Sequence, residues 1–198
     1  MSFGVLFVAP HLPDFFRRYP EISIDLHLSD AQIDLIGEGF DAAIRIGVLK
    51  DSTFVAKRLC AMPLHLVASP AYLKEHGRPK HPMELAKLNA LTYSYQLTAD
   101  TWQFRKPSGE TAAVRPAGSL RVNNGEAMLL SIVAGIGVGI LPDFIVKDAI
   151  AAGHLETLLP EWSLPEGAVY WVTPQSGPRP RRVELLAEYF RAKLDNGS

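Results

Sequence analysis

The spacing of apolar residues predicts a helix near each end of the chain. Over residues 5–19 the apolar positions recur every three to four residues, and the helix that they predict stops at Pro20 and is kinked by two internal prolines. A strand over residues 5–9 is the alternative for the first part of this segment. Residues 183–194 carry an apolar stripe, which is typical of an amphipathic helix.

Alternating apolar and polar residues, or short apolar runs, predict strands between these helices. Residues 22–28 alternate most clearly, and a helix at 33–38 and a short apolar strand at 42–46 follow them. This order of strand, helix and strand predicts a right-handed parallel crossover. Further strands are predicted at residues 54–61, 64–68, 90–95, 102–106, 111–115, 119–122, 138–141, 154–158 and 168–173, and further helices at residues 71–76, 125–134 and 142–151.

The order of these elements predicts an α/β fold with two lobes. Residues 77–119 carry four prolines among short strands, which indicates a separate and partly antiparallel unit. Residues 160–167 contain two prolines and a glycine and are interpreted as a return connection. We therefore expect lobe I to contain residues 1–68 and 165–198 and lobe II to contain residues 69–164.

Composition and charge exclude several classes of function. The chain has 198 residues with 20 basic and 21 acidic side chains, so it lacks the positive charge with which DNA-binding proteins neutralise phosphates. No apolar stretch is long enough to span a bilayer, and the start lacks the basic region of a secretory signal. The single cysteine, Cys60, rules out an internal disulfide. We expect a cytoplasmic protein that contacts neither membrane nor, by this region alone, nucleic acid.

The motifs of common enzymes and cofactor sites are absent from the sequence. The glycines of Gly-Ile-Gly-Val-Gly at residues 135–139 follow a predicted helix and precede a strand, the reverse of the order in dinucleotide-binding proteins. No two of the six histidines have the spacing of a helical zinc site, and no nucleophile elbow or phosphate-binding loop occurs. We expect no catalytic residues, no metal site and no cofactor.

Several polar residues follow or end the predicted strands, where ligands bind in open α/β sheets. They are Ser29, Asp30, Arg45, Asn123, Asn124 and Glu126. Each also has a structural explanation: Asn123 or Asn124 can cap the following helix, and Arg45 can be a paired arginine within the sheet. From these residues alone, both interpretations remain open.

Six stretches of the chain form a set, in order and at fitting spacing, that covers nearly its whole length. They are Phe-Phe-Arg-Arg-Tyr-Pro at residues 15–20, residues 34–47 with their Phe-Asp-Ala-Ala-Ile-Arg-Ile-Gly, Ala-Ser-Pro-Ala-Tyr-Leu at 68–73, Asn-Asn-Gly-Glu-Ala at 123–127, Ala-Gly-Ile-Gly-Val-Gly-Ile-Leu-Pro-Asp at 134–143 and Ala-Gly-His-Leu at 152–155. Together they resemble the effector-binding region of LysR-type transcriptional regulators, in particular the branch similar to the CrgA regulator.

The resemblance implies two Rossmann-like lobes, as in type 2 periplasmic binding proteins, joined by two crossover connections. It implies a small-molecule effector, anionic or aromatic, in the cleft between the lobes, and a signal passed on through dimer or tetramer geometry. Residues 3–19 and 125–134 are then the expected dimer surfaces. Promoter DNA would bind only through an N-terminal winged helix-turn-helix that this sequence does not contain. Relative to the family pattern, the first strand of lobe I is also expected to be missing.

The resemblance also implies which residues bind the effector. They are Ser2, Phe3, Ser29, Asp30, Arg45, Ile46, Gly47, Val48, Tyr93, Tyr95, Asn123, Asn124 and Glu126. Two other functions remain as alternatives: a solute-binding protein of a transport system, which shares the two-lobed fold, and an enzyme that uses the same cleft.

Overall fold

The computed structural model describes residues 1–31, 34–47, 54–95, 101–175 and 180–195. Its strands are β1 (Ala43–Gly47), β2 (Phe54–Met62), β3 (Leu64–Ala68), β4 (Ala90–Tyr93), β5 (Trp102–Arg105), β6 (Thr111–Val114), β7 (Leu120–Val122), β8 (Val138–Pro142), β9 (Glu156–Thr157) and β10 (Gly167–Pro174). Its α-helices are α1 (Leu12–Arg18), α2 (Pro70–His76), α3 (Gly125–Val133), α4 (Asp143–Ala151) and α5 (Arg181–Asp195). The chain divides into two compact units: unit 1 is Met1–Met62 with Gly167–Ser198, and unit 2 is Pro63–Glu166.

The N-terminal segment is helical, as the apolar spacing predicts. A π-helical turn (Gly4–Val8) and a 3-10 turn (Ala9–His11) lead into α1. The winding changes around Pro10 and Pro13, because proline lacks the N–H group that a regular α-helix needs. The prediction of a kinked helix is confirmed, and the alternative strand over residues 5–9 is wrong.

The sheet of unit 1 has the order β1-β10-β2 and is antiparallel throughout. Helix α5 packs against β2, and its buried residues Val183, Phe190 and Leu194 belong to the apolar stripe seen in the sequence. Tyr189 of α5 also reaches α1, where its hydroxyl donates to Asp14 Oδ2 over 2.9 Å. The first and last helices of unit 1 are therefore joined by a hydrogen bond between side chains.

The parallel crossover predicted for residues 22–46 is wrong. Residues 22–28 belong to no strand, although their apolar and polar residues alternate, and the described neighbour of β1 is the antiparallel β10. Alternation marks a segment that can become a strand, but a strand also needs a hydrogen-bonding partner. Of the predicted helix at 33–38, residue 33 lies outside the described residues, and residues 35–39 form turns rather than a helix, with hydrogen bonds such as Phe40 N to Leu35 O.

Unit 2 has a five-stranded sheet of the order β7-β4-β8-β3-β9. Strand β4 runs parallel to β7 and β8, whereas β3 runs antiparallel to β8 and β9. One face is covered by α3 and α4, with Met128 and Ile132 in the core. The other face is covered by α2, the β5–β6 hairpin and the 3-10 turn Pro82–Lys87, with Leu85 and Trp102 in the core. The partly antiparallel character predicted for residues 77–119 is confirmed by the β5–β6 hairpin, but these residues form no separate unit, because they belong to unit 2.

The boundary between the units differs from the division drawn from the sequence, where lobe II begins at residue 69 and ends at residue 164. In the structure β3 (Leu64–Ala68) is already part of unit 2, because it pairs with β8 over its whole length. Unit 2 also extends to Glu166, since β10 begins only at Gly167. The difference arises because strand pairing is not local in sequence.

Asn89 joins the segments that lead into β4, β7 and β8. Its side-chain Nδ2 donates to Ser119 Oγ over 2.9 Å and to Ile136 O over 2.7 Å, and its Oδ1 accepts from Ser119 N over 2.8 Å. Gly118 and Gly137 beside it have no room for a side chain, because a Cβ would overlap the carbonyl oxygens of Ala90 and Asn89. The amino ends of three strands are thus held together at this junction.

Candidate functional site

Helix α3 begins directly beyond the carboxyl ends of the parallel strands β4 and β7. The side chain of Asn124 accepts a hydrogen bond from Ala127 N over 2.9 Å and caps the helix, as the structural explanation of this residue predicts. Glu126 lies in the first turn of the helix and is half-buried. Asn123 is exposed beside it. The end of the sheet therefore presents amide and carboxylate groups next to a helix N-terminus.

Two tyrosines from the end of β4 lie at the same place. The rings of Tyr93 and Tyr95 meet edge to face, with their centroids 6.1 Å apart. Burial, together with the smaller effects of the Tyr95 and Glu126 charges, raises the pKa of Tyr93 to about 12. The Tyr93 hydroxyl is therefore protonated at neutral pH and can donate a hydrogen bond. All five residues predicted for lobe II, from Tyr93 to Glu126, gather at this edge.

The residues predicted for lobe I that belong to β1 lie at its end. Arg45 pairs in register with Tyr170 of β10, and its guanidinium lies 5.2 Å from the centre of the Phe54 ring. Such a cation–π contact contributes about 0.5–1 kcal/mol at a partly exposed site. Ile46 is exposed, and Gly47 has a φ of 135°, which few residues other than glycine adopt. Val48 lies outside the described residues.

Four further candidates come from the start of the chain and from residues 29–30. The Asp30 carboxylate accepts a hydrogen bond from the Met1 amino group, and Ser29 Oγ accepts from Ala31 N over 3.1 Å. Ser2 is half-buried next to Met1. Phe3 is only 5% exposed and stacks on Phe7 with a centroid distance of 4.9 Å, so its side chain is a core residue. The structure thus brings Asp30 to the start of the first helix.

Two arginines of unit 2 that border a groove are not among the site residues that the sequence predicts. Arg115 and Arg121 line a groove together with Thr92 and residues 116–118. Arg121 is the middle residue of β7, between the apolar Leu120 and Val122. A charged residue inside an apolar strand could have indicated a candidate site residue from the sequence.

The part of the chain that the structure describes offers neither a metal site nor a membrane-spanning helix. No group of three or more His, Cys, Asp or Glu side chains there has a geometry that could hold a metal ion. None of the helices in the described part of the chain is long and apolar enough to cross a membrane.

The family model of the LysR substrate binding domain matches residues 1–195. The chain belongs to this family. Its curated relatives are transcriptional regulators: the chain is 34% identical over 189 residues to an uncharacterized HTH-type transcriptional regulator of Haemophilus influenzae, covering 96% of this chain and 65% of the relative. It is 35% identical over 180 residues to the HTH-type transcriptional regulator PtxR of Pseudomonas aeruginosa, covering 91% of this chain and 57% of the relative. The chain thus spans less than two thirds of the length of these relatives.

Solved LysR-type structures have the same fold as this LysR substrate-binding domain. The CrgA regulatory domain from Neisseria meningitidis matches with a TM-score of 0.76 and 28% identity, covering 98% of this chain and 95% of that chain. The regulatory domain of AphB in Vibrio vulnificus matches with a TM-score of 0.76 and 28% identity, covering 96% and 93%. The predicted family, its similarity to CrgA and the two-lobed α/β fold class are confirmed, and the relatives favour a regulator over a transport protein.

Proposed function

We propose that this LysR substrate-binding domain is the effector sensor of a DNA-binding transcriptional regulator. The observation that carries the proposal is the cluster of Tyr93, Tyr95, Asn124 and Glu126 at the carboxyl ends of β4 and β7. Ligands of open α/β sheets bind at such strand ends, and helix N-termini there offer backbone donors. The family to which the chain belongs supports the same function.

The proposed effector is a small molecule with both polar and aromatic parts. In unit 2 the Tyr93 hydroxyl and the first amides of α3 serve as donors, Glu126 serves as an acceptor, and the tyrosine rings provide apolar contact. In unit 1 the proposed contacts are Arg45 and the backbone of residues 46–48, with Ser2, Ser29 and Asp30. Effector binding stabilises one conformation of the regulator over another, which changes the population of its DNA-binding state.

The test is a thermal-shift screen of the 198-residue chain against a metabolite library, followed by calorimetry with each hit. Arg45→Ala and Tyr93→Phe are expected to weaken binding of a hit by about tenfold or more, because a hydrogen bond to a charged group contributes about 1.5–3 kcal/mol. Arg58→Ala is the matched control, since Arg58 is an exposed arginine of β2. An Arg45→Ala chain with lowered thermal stability but unchanged affinity would contradict the proposed contact.

We also propose that the chain self-associates through the exposed apolar side of α3. Leu130 is 70% exposed and Val133 is 37% exposed, and Ile136 just beyond the helix is 45% exposed. Apolar side chains that gather on one surface commonly mark a protein interface. The turns before α1 expose Val5 and Leu6 in the same way.

Sedimentation velocity tests this surface. Leu130→Lys is expected to shift the chain from dimer or tetramer toward monomer, because a charged side chain would be buried without a partner. Met83→Lys, at an exposed methionine of the 3-10 turn Pro82–Lys87, is the control that changes charge elsewhere. Identical sedimentation of the Leu130→Lys chain and the unchanged chain would exclude α3 from the interface.

The remaining parts of the proposal concern the whole regulator. Promoter DNA is bound by an N-terminal domain that is not in this sequence, so the regulator acts in the cytoplasm, where promoter DNA lies. In this proposal the chain has no catalytic role. The two curated relatives named above are transcriptional regulators, which agrees with this.

A further inference from the structure

A groove of about 580 Å³ lies beside the edge of the unit 2 sheet. It is bordered by Thr92 of β4, Leu120 and Arg121 of β7 and the linker of residues 115–118 that connects β6 to β7. Small-molecule sites in proteins commonly have volumes of about 300–1,000 Å³. The groove therefore has room for a metabolite, and all of its walls belong to one unit.

Strand register brings the side chains of Thr92 and Arg121 together. The two residues are partners on the neighbouring parallel strands β4 and β7. Leu91 and Leu120, which precede them, pack with the core under α3 and α4. Because side chains alternate along a strand, Thr92 and Arg121 lie on the opposite face of the sheet. This placement separates them from Tyr93, which also packs with the α3 and α4 core.

The groove carries positive charge without an acidic residue in its lining. Arg115 and Arg121 are its two charged side chains. Arg121 Nη2 donates to the carbonyl oxygen of Ser94 over 3.4 Å, which directs the guanidinium toward the end of β4. Within the described ranges, neither arginine forms an ion pair with a carboxylate. Their remaining N–H donors are open to a ligand.

We propose that this groove binds a small oxyanion, a carboxylate or phosphate group of a metabolite, at a site separate from the proposed effector site. A planar guanidinium binds such groups through two parallel hydrogen bonds, and the Thr92 hydroxyl adds a third donor on the same face. The site shares no residue with the thirteen positions predicted for the effector, so it can bind whether or not that proposal is correct.

The experiment is an NMR titration of the ¹⁵N-labelled 198-residue chain at low ionic strength, with inorganic phosphate in one arm and succinate in the other. We expect saturable shifts of the amides of Thr92, Arg115 and Arg121, with a Kd of about 1–10 mM in at least one arm. The arm that saturates at lower concentration identifies a phosphate or a carboxylate ligand.

Three arginine variants decide the assignment. Arg115→Gln and Arg121→Gln are expected to raise the Kd at least about tenfold, because each removes a charged donor. Arg105→Gln removes the same charge from an exposed position of β5 outside the groove and should leave the Kd unchanged. If Arg121→Gln fails to fold, Arg115→Gln in the irregular linker is the decisive variant. Absence of saturation up to about 50 mM in both arms, or equal loss of binding in Arg105→Gln, would overturn the proposal.

Discussion

Removing the side chain of Asn89 should destabilise unit 2 more than its partial exposure suggests. The Asn89→Ala variant loses three side-chain hydrogen bonds, two to Ser119 and one to the carbonyl of Ile136. These bonds join the segments that precede β4, β7 and β8, which are far apart in sequence. The alanine side chain can form none of them. The backbone bonds of Asn89, such as Val138 N to Asn89 O over 2.9 Å, remain in the variant.

The expected loss follows from the number and the exposure of these bonds. A hydrogen bond within a protein contributes about 0.5–1.5 kcal/mol net, so three bonds contribute roughly 1.5–4.5 kcal/mol. Because Ser119 is exposed, water can replace part of the lost bonding, and we expect a loss of about 2 kcal/mol. Ser119→Ala removes only the bond to Ser119 Oγ and should cost about one third as much.

Urea unfolding followed by tryptophan fluorescence measures this loss. In a Trp171→Phe background the remaining tryptophans, Trp102 and Trp162, report on unit 2 alone. The free energy of unfolding falls by about 2 kcal/mol per molar of urea. A loss of about 2 kcal/mol in Asn89→Ala should therefore lower the urea midpoint by about 1 M. Asn123→Ala, at an exposed asparagine, is the control. A midpoint for Asn89→Ala within about 0.2 M of this control would refute the reasoning.

Two further predictions concern pH and DNA. The hydrogen bond from Tyr189 holds the pKa of Asp14 below its ordinary value of 3.8, with Arg18 and Lys193 acting in the same direction against burial. A lowered folded-state pKa means that the stabilisation is complete above the ordinary pKa and is lost as the pH falls through the folded-state value. Asp14→Asn should therefore lower the melting temperature measured by circular dichroism at pH 7 and have less effect near pH 2, and an equal effect at both would contradict this. Separately, the 198-residue chain with its net charge of −1 should not retard operator DNA in a gel shift, and a nanomolar complex would be the contrary result.

Local patterns predicted most of the elements of this fold. The helix over residues 183–194 follows from its apolar stripe. The strands on either side of Pro63 follow from their short apolar runs and from the proline between them. Residues 22–28 show the limit of this reasoning. Their alternation is as clear as that of the observed strands, yet strand formation depends on a partner elsewhere in the chain, which a local pattern does not contain.

The candidate site was predictable to the extent that it depends on strand ends. The capping role of Asn124 follows from its place between a strand and a helix, and the structure confirms it. The contact of Arg45 with Phe54 was not predictable, because it depends on how the antiparallel sheet of unit 1 aligns its strands. The same limit applies to Arg121 and Thr92, whose proximity depends on the register of β7 against β4.

The strand order β1-β10-β2 has a consequence for synthesis on the ribosome. Unit 2 is one continuous stretch, Pro63–Glu166, so all of its strands are available before unit 1 is finished. The centre of the unit 1 sheet is β10, and β1 and β2 bond to it rather than to each other. Since chains emerge from the N-terminus, β1 and β2 are made before β10 and wait for Gly167–Pro174 before their sheet can form. Of the two units, the one whose first strands emerge earlier is therefore completed last, and unit 2 can fold while unit 1 is still an open chain.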